Sequence, residues 1–219
     1  MEDYSHSGTV AAILMASGFS RRFGGENKLL VPFRGKPLAR HTLDMVCSMK
    51  RAPTDNGSVT DCFSEIFFVV QDEMVAALAN GLPVTVLRNN APEKGRQESV
   101  RLGTEAAGES GYYFFFPCDQ PFLDAETVRL MLAARRPGCI VEPCFQDRET
   151  GLVCHNSLVC HGSPSLFSAV FRDELLTLGE GEKPKIIKAR HPEALICVEI
   201  PNRLALLDID KPEDIEQST

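Results

Sequence analysis

Short apolar runs, each followed by a segment with helical spacing, succeed one another along most of this chain, and that alternation limits the fold more than any other feature. The first run, TVAAILMA (residues 9–16), is unbroken and ends in small residues. A strand buried on both faces of a parallel sheet has that composition, whereas a half-exposed strand would alternate with polar residues. EIFFVVQ, PVTVLRN, GYYFFFPCD, CIVEPCF, SLVCHG and ALICVEI read as further strands. Between them, KPLARHTLDMVCSMK repeats Leu38, Leu43, Val46 and Met49 at helical spacing, with Pro37 placed for a first turn. EMVAALAN, QESVRLGTEAAG, PSLFSAVFRDELLTL and KPKIIKA read as helices, as does DAETVRLMLAARR with Asp124 as its cap. Parallel strands need crossover connections, so the expected fold is α/β: a doubly wound, mostly parallel but mixed, Rossmann-like sheet.

The 219 residues suit one domain, with residues 9–135 and 136–219 as its two halves. A formal net charge of -7 argues against a surface that coats nucleic acid, because such surfaces need a basic excess. No apolar run approaches the roughly 20 residues of a membrane span, and MEDYSHSGTV lacks the pattern of a secretory leader. A cytoplasmic location, with no membrane and no nucleic-acid partner, is the expectation. Cys47, Cys118, Cys139, Cys144 and Cys197 lie in apolar stretches and read as reduced thiols. The segment Arg51–Cys62 has loop composition without periodicity.

Chemistry concentrates in a few places. Gly18, Ser20, Arg22, Gly24 and Lys28 follow the first strand and precede the first helix. Glycines let backbone N–H groups converge on an anion, and Arg and Lys add positive charge there. The spacing is neither the Walker pattern nor GxGxxG, so this phosphate loop is of another kind. Asp119 ends the very apolar strand YYFFFPC, where open α/β sheets place their ligands and where a carboxylate can reach a metal. Asp208 and Asp210 lie in LDIDKPED, before a helix start at Lys211-Pro212. Cys154, His155, Cys160 and His161 invite a zinc reading, but neighbouring Cys and His on a strand point to opposite faces.

MASGFSRRFGGENK, residues 15–28, resembles the LAAGxSxRMG signature, with its following lysine, of nucleotidyltransferases of the molybdenum cofactor cytidylyltransferase type. Met15 replaces a leucine and Ser17 an alanine. PCDQP resembles that family's metal-binding strand end, and LDIDKPED its closing DIDTPED, with Lys211 in place of threonine. GRQESVRLG resembles the RxxSV segment that holds the base in related cytidylyltransferases, and HGSPSLF a GHPxLF loop near the acceptor, with its order altered. The resemblance implies transfer of a nucleoside monophosphate, CTP being the preferred donor, to a phosphorylated pterin-type acceptor such as molybdopterin, with Mg2+ as cofactor. Arg22, Lys28 and Asp119 would be catalytic, and Ala16, Ser17, Gly18, Ser20, Gly24, Arg96 and Ser99 would bind the nucleotide. Asp119 with Asp208 or Asp210 would hold the metal, and His161, Gly162 and Pro164 would face the acceptor. Two alternatives stand beside this reading. One is another cytidylyltransferase or NTP:phosphate nucleotidylyltransferase, the methylerythritol phosphate type foremost. The other is a non-catalytic factor that carries a cofactor to a molybdenum hydroxylase.

Overall fold

The computed structural model describes residues 8–20, 23–24, 26–50, 63–146, 158–160 and 162–217. The loop read at Arg51–Cys62 and the residues Arg22, Cys154, His155 and His161 therefore lie outside the described residues. β1 (Val10–Ala16) is followed by a small antiparallel hairpin of β2 (Pro32–Phe33) and β3 (Lys36–Pro37). Its two-residue turn is Arg34-Gly35, both at positive φ (43° and 85°). Positive φ at both turn residues is the backbone that lets a tight hairpin follow the strand twist. α1 (Leu38–Ser48) begins directly after it, so Pro37 is the N-cap and last strand residue rather than part of the first helical turn. β4 (Glu65–Val70), α2 (Glu73–Ala77), β5 (Thr85–Arg88), α3 (Arg96–Ala106) and β6 (Tyr112–Pro117) follow. α4 (Ala125–Ala133) is opened by Asp124, whose carboxylate accepts from Thr127 N at 2.8 Å, as read from the sequence.

The second half contains β7 (Ile140–Gln146), β8 (Leu158–Cys160), β9 (Ser165–Ser168), α5 (Arg172–Leu176), α6 (Lys185–Arg190), β10 (Leu195–Glu199) and α7 (Pro212–Gln217). One element differs from expectation. PSLFSAVFRDELLTL is not a single helix: its first part is β9, and a 3-10 turn at Ala169–Phe171 leads into α5. The strand order is β10-β7-β9-β6-β1-β4-β5, with β8 also paired to β7. β1 is parallel to β4 and β6, β5 to β4, and β10 to β7. β9 runs antiparallel between β6 and β7, and β8 is antiparallel to β7. Buried between two strands and under both helical layers, the four residues of β9 gain more from pairing than from a helical turn.

The all-apolar β1 is explained by its two faces. Ala12 and Leu14 pack with Phe68, Phe114 and Phe116 under Leu43 and Val46 of α1 and Met131 of α4. Ala11 and Ile13 pack on the other side with Phe67 and Phe115 against Val100 of α3, Leu175 of α5 and Ile187 of α6. Each face is covered, as a doubly wound sheet requires. A third cluster joins Phe23, Phe33 and Leu38 to Ile209 near the C-terminus. Among the described residues no helix is long and apolar enough to cross a membrane.

Candidate functional site

Strand order reverses at β1. The chain leaves β1 towards β4 and β5 and then returns to β6 on the other side, so the connections after β1 and β6 part and leave a crevice at their carboxyl ends. Ligands of open α/β sheets bind at such a point. A cleft of about 260 Å³ lies there, reached by Ser17, Gly18, Ser20, Lys28, Arg96, Ser99 and Asp119 among others.

The loop after β1 is braced at each step. Ser17 Oγ donates to Val69 O at 3.2 Å, and Gln71 Nε2 donates to Gly18 O at 3.2 Å, which holds this end over β4. Ser20 takes a left-handed φ of 47°, and its Oγ accepts from Lys28 N at 3.1 Å. Gly24 is also left-handed, at φ 63°. Asn27 caps the short turn Lys28–Leu30 by accepting from Leu29 N at 3.1 Å, so the lysine starts a rigid segment.

Lys28 reaches across to the other side of the crevice. Its Nζ donates to Asp119 Oδ2 at 2.7 Å, Asp210 Oδ1 at 2.9 Å and the Ile209 carbonyl at 3.0 Å. Asp119 is carried there by β6, and its backbone carbonyl accepts from Ile209 N at 2.9 Å. The sequence Asp-Ile-Asp has its own logic here: Ile209 is fully buried in the third cluster and anchors the segment, while Asp208 on one side meets Gln120 and Asp210 on the other meets Lys28. Burial by itself would lower the Lys28 pKa, but the charges and hydrogen bonds of Asp119 and then Asp210 outweigh it and raise it. The ammonium is therefore fixed as a cation.

Asp208 is tied differently. Gln120, buried directly after Asp119, donates through Nε2 to Asp208 Oδ1 at 2.9 Å. Surrounding protein, then the neighbouring Asp119 charge, raise the Asp208 pKa to about 6; Asp210 adds to the rise, while the Gln120 hydrogen bond and Lys28 oppose it. The residue still meets solvent, which weakens the burial part and leaves carboxylate crowding as the firmer cause. A folded pKa above the ordinary 3.8 means the fold binds a proton that the unfolded chain releases, so ionised Asp208 costs stability above about pH 6 and the cost fades as pH falls towards 3.8. Asp208→Asn, which keeps the acceptor for Gln120, should raise the melting temperature of the metal-free protein by about 2 °C at pH 7.5. The gain should shrink by pH 5; thermal melts at the two pH values check it, and a gain that grows on acidification contradicts the assignment.

The other sequence-predicted residues divide. α3 brings Arg96, exposed, and Ser99, buried, to the cleft, with Gly95 at φ 100° allowing the sharp entry. Ser99 Oγ accepts from Asn89 Nδ2 at 3.4 Å. Ala16 closes the strand end. Gly162 and Pro164 do not line this cleft but adjoin it through Gln120, whose Nε2 lies 3.4 Å from Ser163 O. The Gly162 carbonyl also accepts from Lys188 Nζ at 2.9 Å, and that buried ammonium pairs with Glu142 at 2.6 Å. Gln120, Asn89, Glu142 and Lys188 were not among the expected site residues. Gln120 stands inside PCDQP and was legible there as a polar neighbour of the strand-end aspartate, whereas Lys188 reads in KIIKAR as an ordinary surface lysine.

A cleft with a cationic lysine, a glycine-bearing loop and three aspartates around one strand end can hold a polyphosphate and a divalent cation together. Among the described residues no three His, Cys, Asp or Glu side chains close in as a metal cage. Mg2+ needs none, since one or two carboxylates with phosphate oxygens and waters suffice.

Comparison with known proteins agrees with this architecture. Nicotine blue oxidoreductase of Paenarthrobacter nicotinovorans is 24% identical over 174 residues, which cover 79% of this chain and 78% of that protein. A molybdenum cofactor guanylyltransferase of Cupriavidus pinatubonensis is 28% identical over 131 residues, covering 59% of this chain and a little over half, 58%, of that protein. A nucleotidyl transferase from Methanothermobacter thermautotroptrophicus shares the fold, with a TM-score of 0.75 at 21% identity over 96% of this chain and 95% of that one. Residues 12–194 match the profile of the MobA-like NTP transferase domain, and with most of its length inside that match the chain belongs to the MobA-like NTP transferase family of nucleotidyltransferases.

Proposed function

We propose that this nucleotidyltransferase moves a nucleoside monophosphate from a nucleoside triphosphate, CTP by preference, onto the phosphate of a pterin-type acceptor such as molybdopterin. The observation that carries this is the meeting of Lys28 with Asp119 and Asp210 at the crevice beside the loop after β1. An acceptor phosphate oxygen attacks the α-phosphorus in line; the bond from the α-phosphorus to the bridging oxygen breaks, and its electrons leave with pyrophosphate. No protein nucleophile takes part.

In this reading residues 9–135 bind the nucleotide and residues 136–219 the acceptor. Gly18, Ser20 and Gly24 shape the backbone around the triphosphate, and Lys28 with Arg22 neutralises charge gathering on the phosphates. Ser17 and Ser99, with Arg96 and Ala16, set the donor's base and ribose. His161, Gly162 and Pro164 orient the acceptor. Families of this kind generally use a divalent metal, and the residues here fit Mg2+: Asp119 Oδ1 is a buried oxygen without a hydrogen-bond partner, and hard carboxylate oxygens are the donors Mg2+ takes. Asp119 would hold it with Asp210, whose oxygen already shares a cation with Asp119 through Lys28, or with Asp208. When bound, Mg2+ would supply charge neutralisation at the phosphates.

Guanylyl transfer is a second reading, favoured by the relatives that bear that name. Incubation with each of the four NTPs, Mg2+ and molybdopterin, followed by pyrophosphate measurement, decides among donors. Release that is highest with CTP is the expected result, release with GTP alone would move the donor assignment, and none with any donor would defeat the transfer reading. A molybdenum hydroxylase as the enzyme that receives the product belongs to the same proposal.

A further inference from the structure

We infer that Lys188 and Glu142 are positioning residues for the acceptor, their buried ion pair fixing the backbone of residues 162–164; the inference rests on the acceptor reading above. Lys188 Nζ stands 2.6 Å from Glu142 Oε2, with the two side chains only 8% and 7% exposed. Glu142 comes from β7, where its neighbour across the sheet is Cys197 of β10, and Lys188 comes from α6, beside the fully buried Ile187. The attraction between two buried charges often only offsets the hydration they lose, so apolar residues of similar volume would join α6 to β7 equally well. What an apolar pair could not supply is the further contact that the ammonium makes. Lys188 Nζ also donates to the Gly162 carbonyl at 2.9 Å, and it lies 5.9 Å from the ring centroid of Phe167 in β9. The pair thus reaches both β9 and the chain that leads into it.

Topology places that chain beside the reacting centre. β9 runs antiparallel to β6 and β7, so the segment entering it arrives at the end of the sheet where β6 delivers Asp119. Ser165 pairs with Phe115, close to that strand end. Gly162 turns at a left-handed φ of 69°, a conformation glycine takes readily, and two successive carbonyls then leave with different partners. Gly162 O accepts from Lys188, and Ser163 O faces Gln120 Nε2 at 3.4 Å. The same Nε2 donates to Asp208 Oδ1 at 2.9 Å. The contact on the Gln120 side is long and shared, whereas those on the Lys188 side are short and involve a charge, so the Lys188 side sets where the segment lies. In-line attack on the α-phosphorus needs the acceptor oxygen within about 3–3.5 Å of it, and an error of about 1 Å can lower the rate about 10²-fold. Lys188 and Glu142 act on that distance through Gly162 and touch neither substrate.

The test separates positioning from stability. Lys188→Met alone leaves the Glu142 carboxylate buried without its cation and should lower the melting temperature. The double variant Glu142→Met/Lys188→Met removes both charges and should melt within a few degrees of the wild type, yet its Gly162 carbonyl has no ammonium to hold it. With Mg2+ and CTP, its kcat/KM for molybdopterin is expected to fall about tenfold to a hundredfold, while its affinity for CTP, titrated by calorimetry, changes less than about twofold. Amide hydrogen exchange of residues 162–168 should quicken by about tenfold or more. A double variant that fails to fold or melts far below the wild type would make the pair a strut of the core and overturn the inference. So would restored stability with wild-type acceptor kcat/KM, unchanged exchange at residues 162–168, or equal weakening towards CTP and molybdopterin. A wild-type protein that transfers no nucleotide to molybdopterin overturns it together with the acceptor reading; a wild-type protein that does so while the double variant keeps its acceptor kcat/KM overturns the inference alone.

Discussion

Asp119→Asn is expected to lower kcat for nucleotidyl transfer by about 10²–10³-fold while the protein stays folded, and Lys28→Met is expected to do the same by a different route. The asparagine keeps the size of the side chain and an oxygen in place, but it removes the negative charge from the buried strand end. Lys28 retains Asp210 and the Ile209 carbonyl, so the local fold has two of its three anchors left. What is lost is the carboxylate opposite the phosphates. Lys28→Met removes the cation itself, and Asp119 and Asp210 are then left facing each other without the charge that joins them. Initial rates with saturating donor, alongside circular dichroism of each variant, check both. Full activity in either folded variant would remove that residue from the site. If the two act as one unit, the double variant should be little worse than either single one, as is usual for groups that work on the same developing charge.

The second large effect is on stability. Gly103 lies in α3 where the helix crosses β1, and a Cβ built there would come within 2.3 Å of Ile13 Cγ2. No rotamer of a fully buried isoleucine in a closed core relieves such an approach cheaply. Gly103→Ala should therefore destabilise the protein by about 1–3 kcal/mol despite alanine's better helix propensity, lowering the melting temperature by several degrees. Ile13→Ala makes room at the cost of a cavity. The double variant should be more stable than the sum of the two single effects allows, with a coupling of about 0.5–3 kcal/mol. Additive losses in denaturant titrations would show that the helix moves as a body instead. The consequence reaches the site, since α3 also carries Arg96 and Ser99 into the cleft.

Most of the architecture could be read from the chain because each central strand is apolar on both faces, and that composition has few other homes. TVAAILMA and YYFFF are β1 and β6, and the acid after YYFFFPC stands where a switch-point ligand would be met. β9 could not be read in the same way. SLFS runs on into AVFRDELLTL with helical spacing, and only the gap between β6 and β7 makes a strand of it. The hairpin of β2 and β3 was hidden for a related reason: two-residue strands have no period, and Arg34-Gly35 reads as any polar loop. Within the site, Lys28, Asp119 and Asp210 converge as the spaced motifs implied, whereas the Glu142–Lys188 pair joins residues 46 apart and has no local signature. The residues around Gly162 reach the strand-end aspartate indirectly, through Gln120.

The most direct measurement follows the label of a radioactive donor. With CTP labelled at the α-phosphorus, Mg2+ and molybdopterin, the label should move to the acceptor; with CTP labelled at the γ-phosphorus it should leave in pyrophosphate, and Asp119→Asn should suppress both. Transfer of the γ-label to the acceptor, or α-label that stays with free nucleotide in the presence of every NTP, would contradict nucleotidyl transfer at the crevice between β1 and β6.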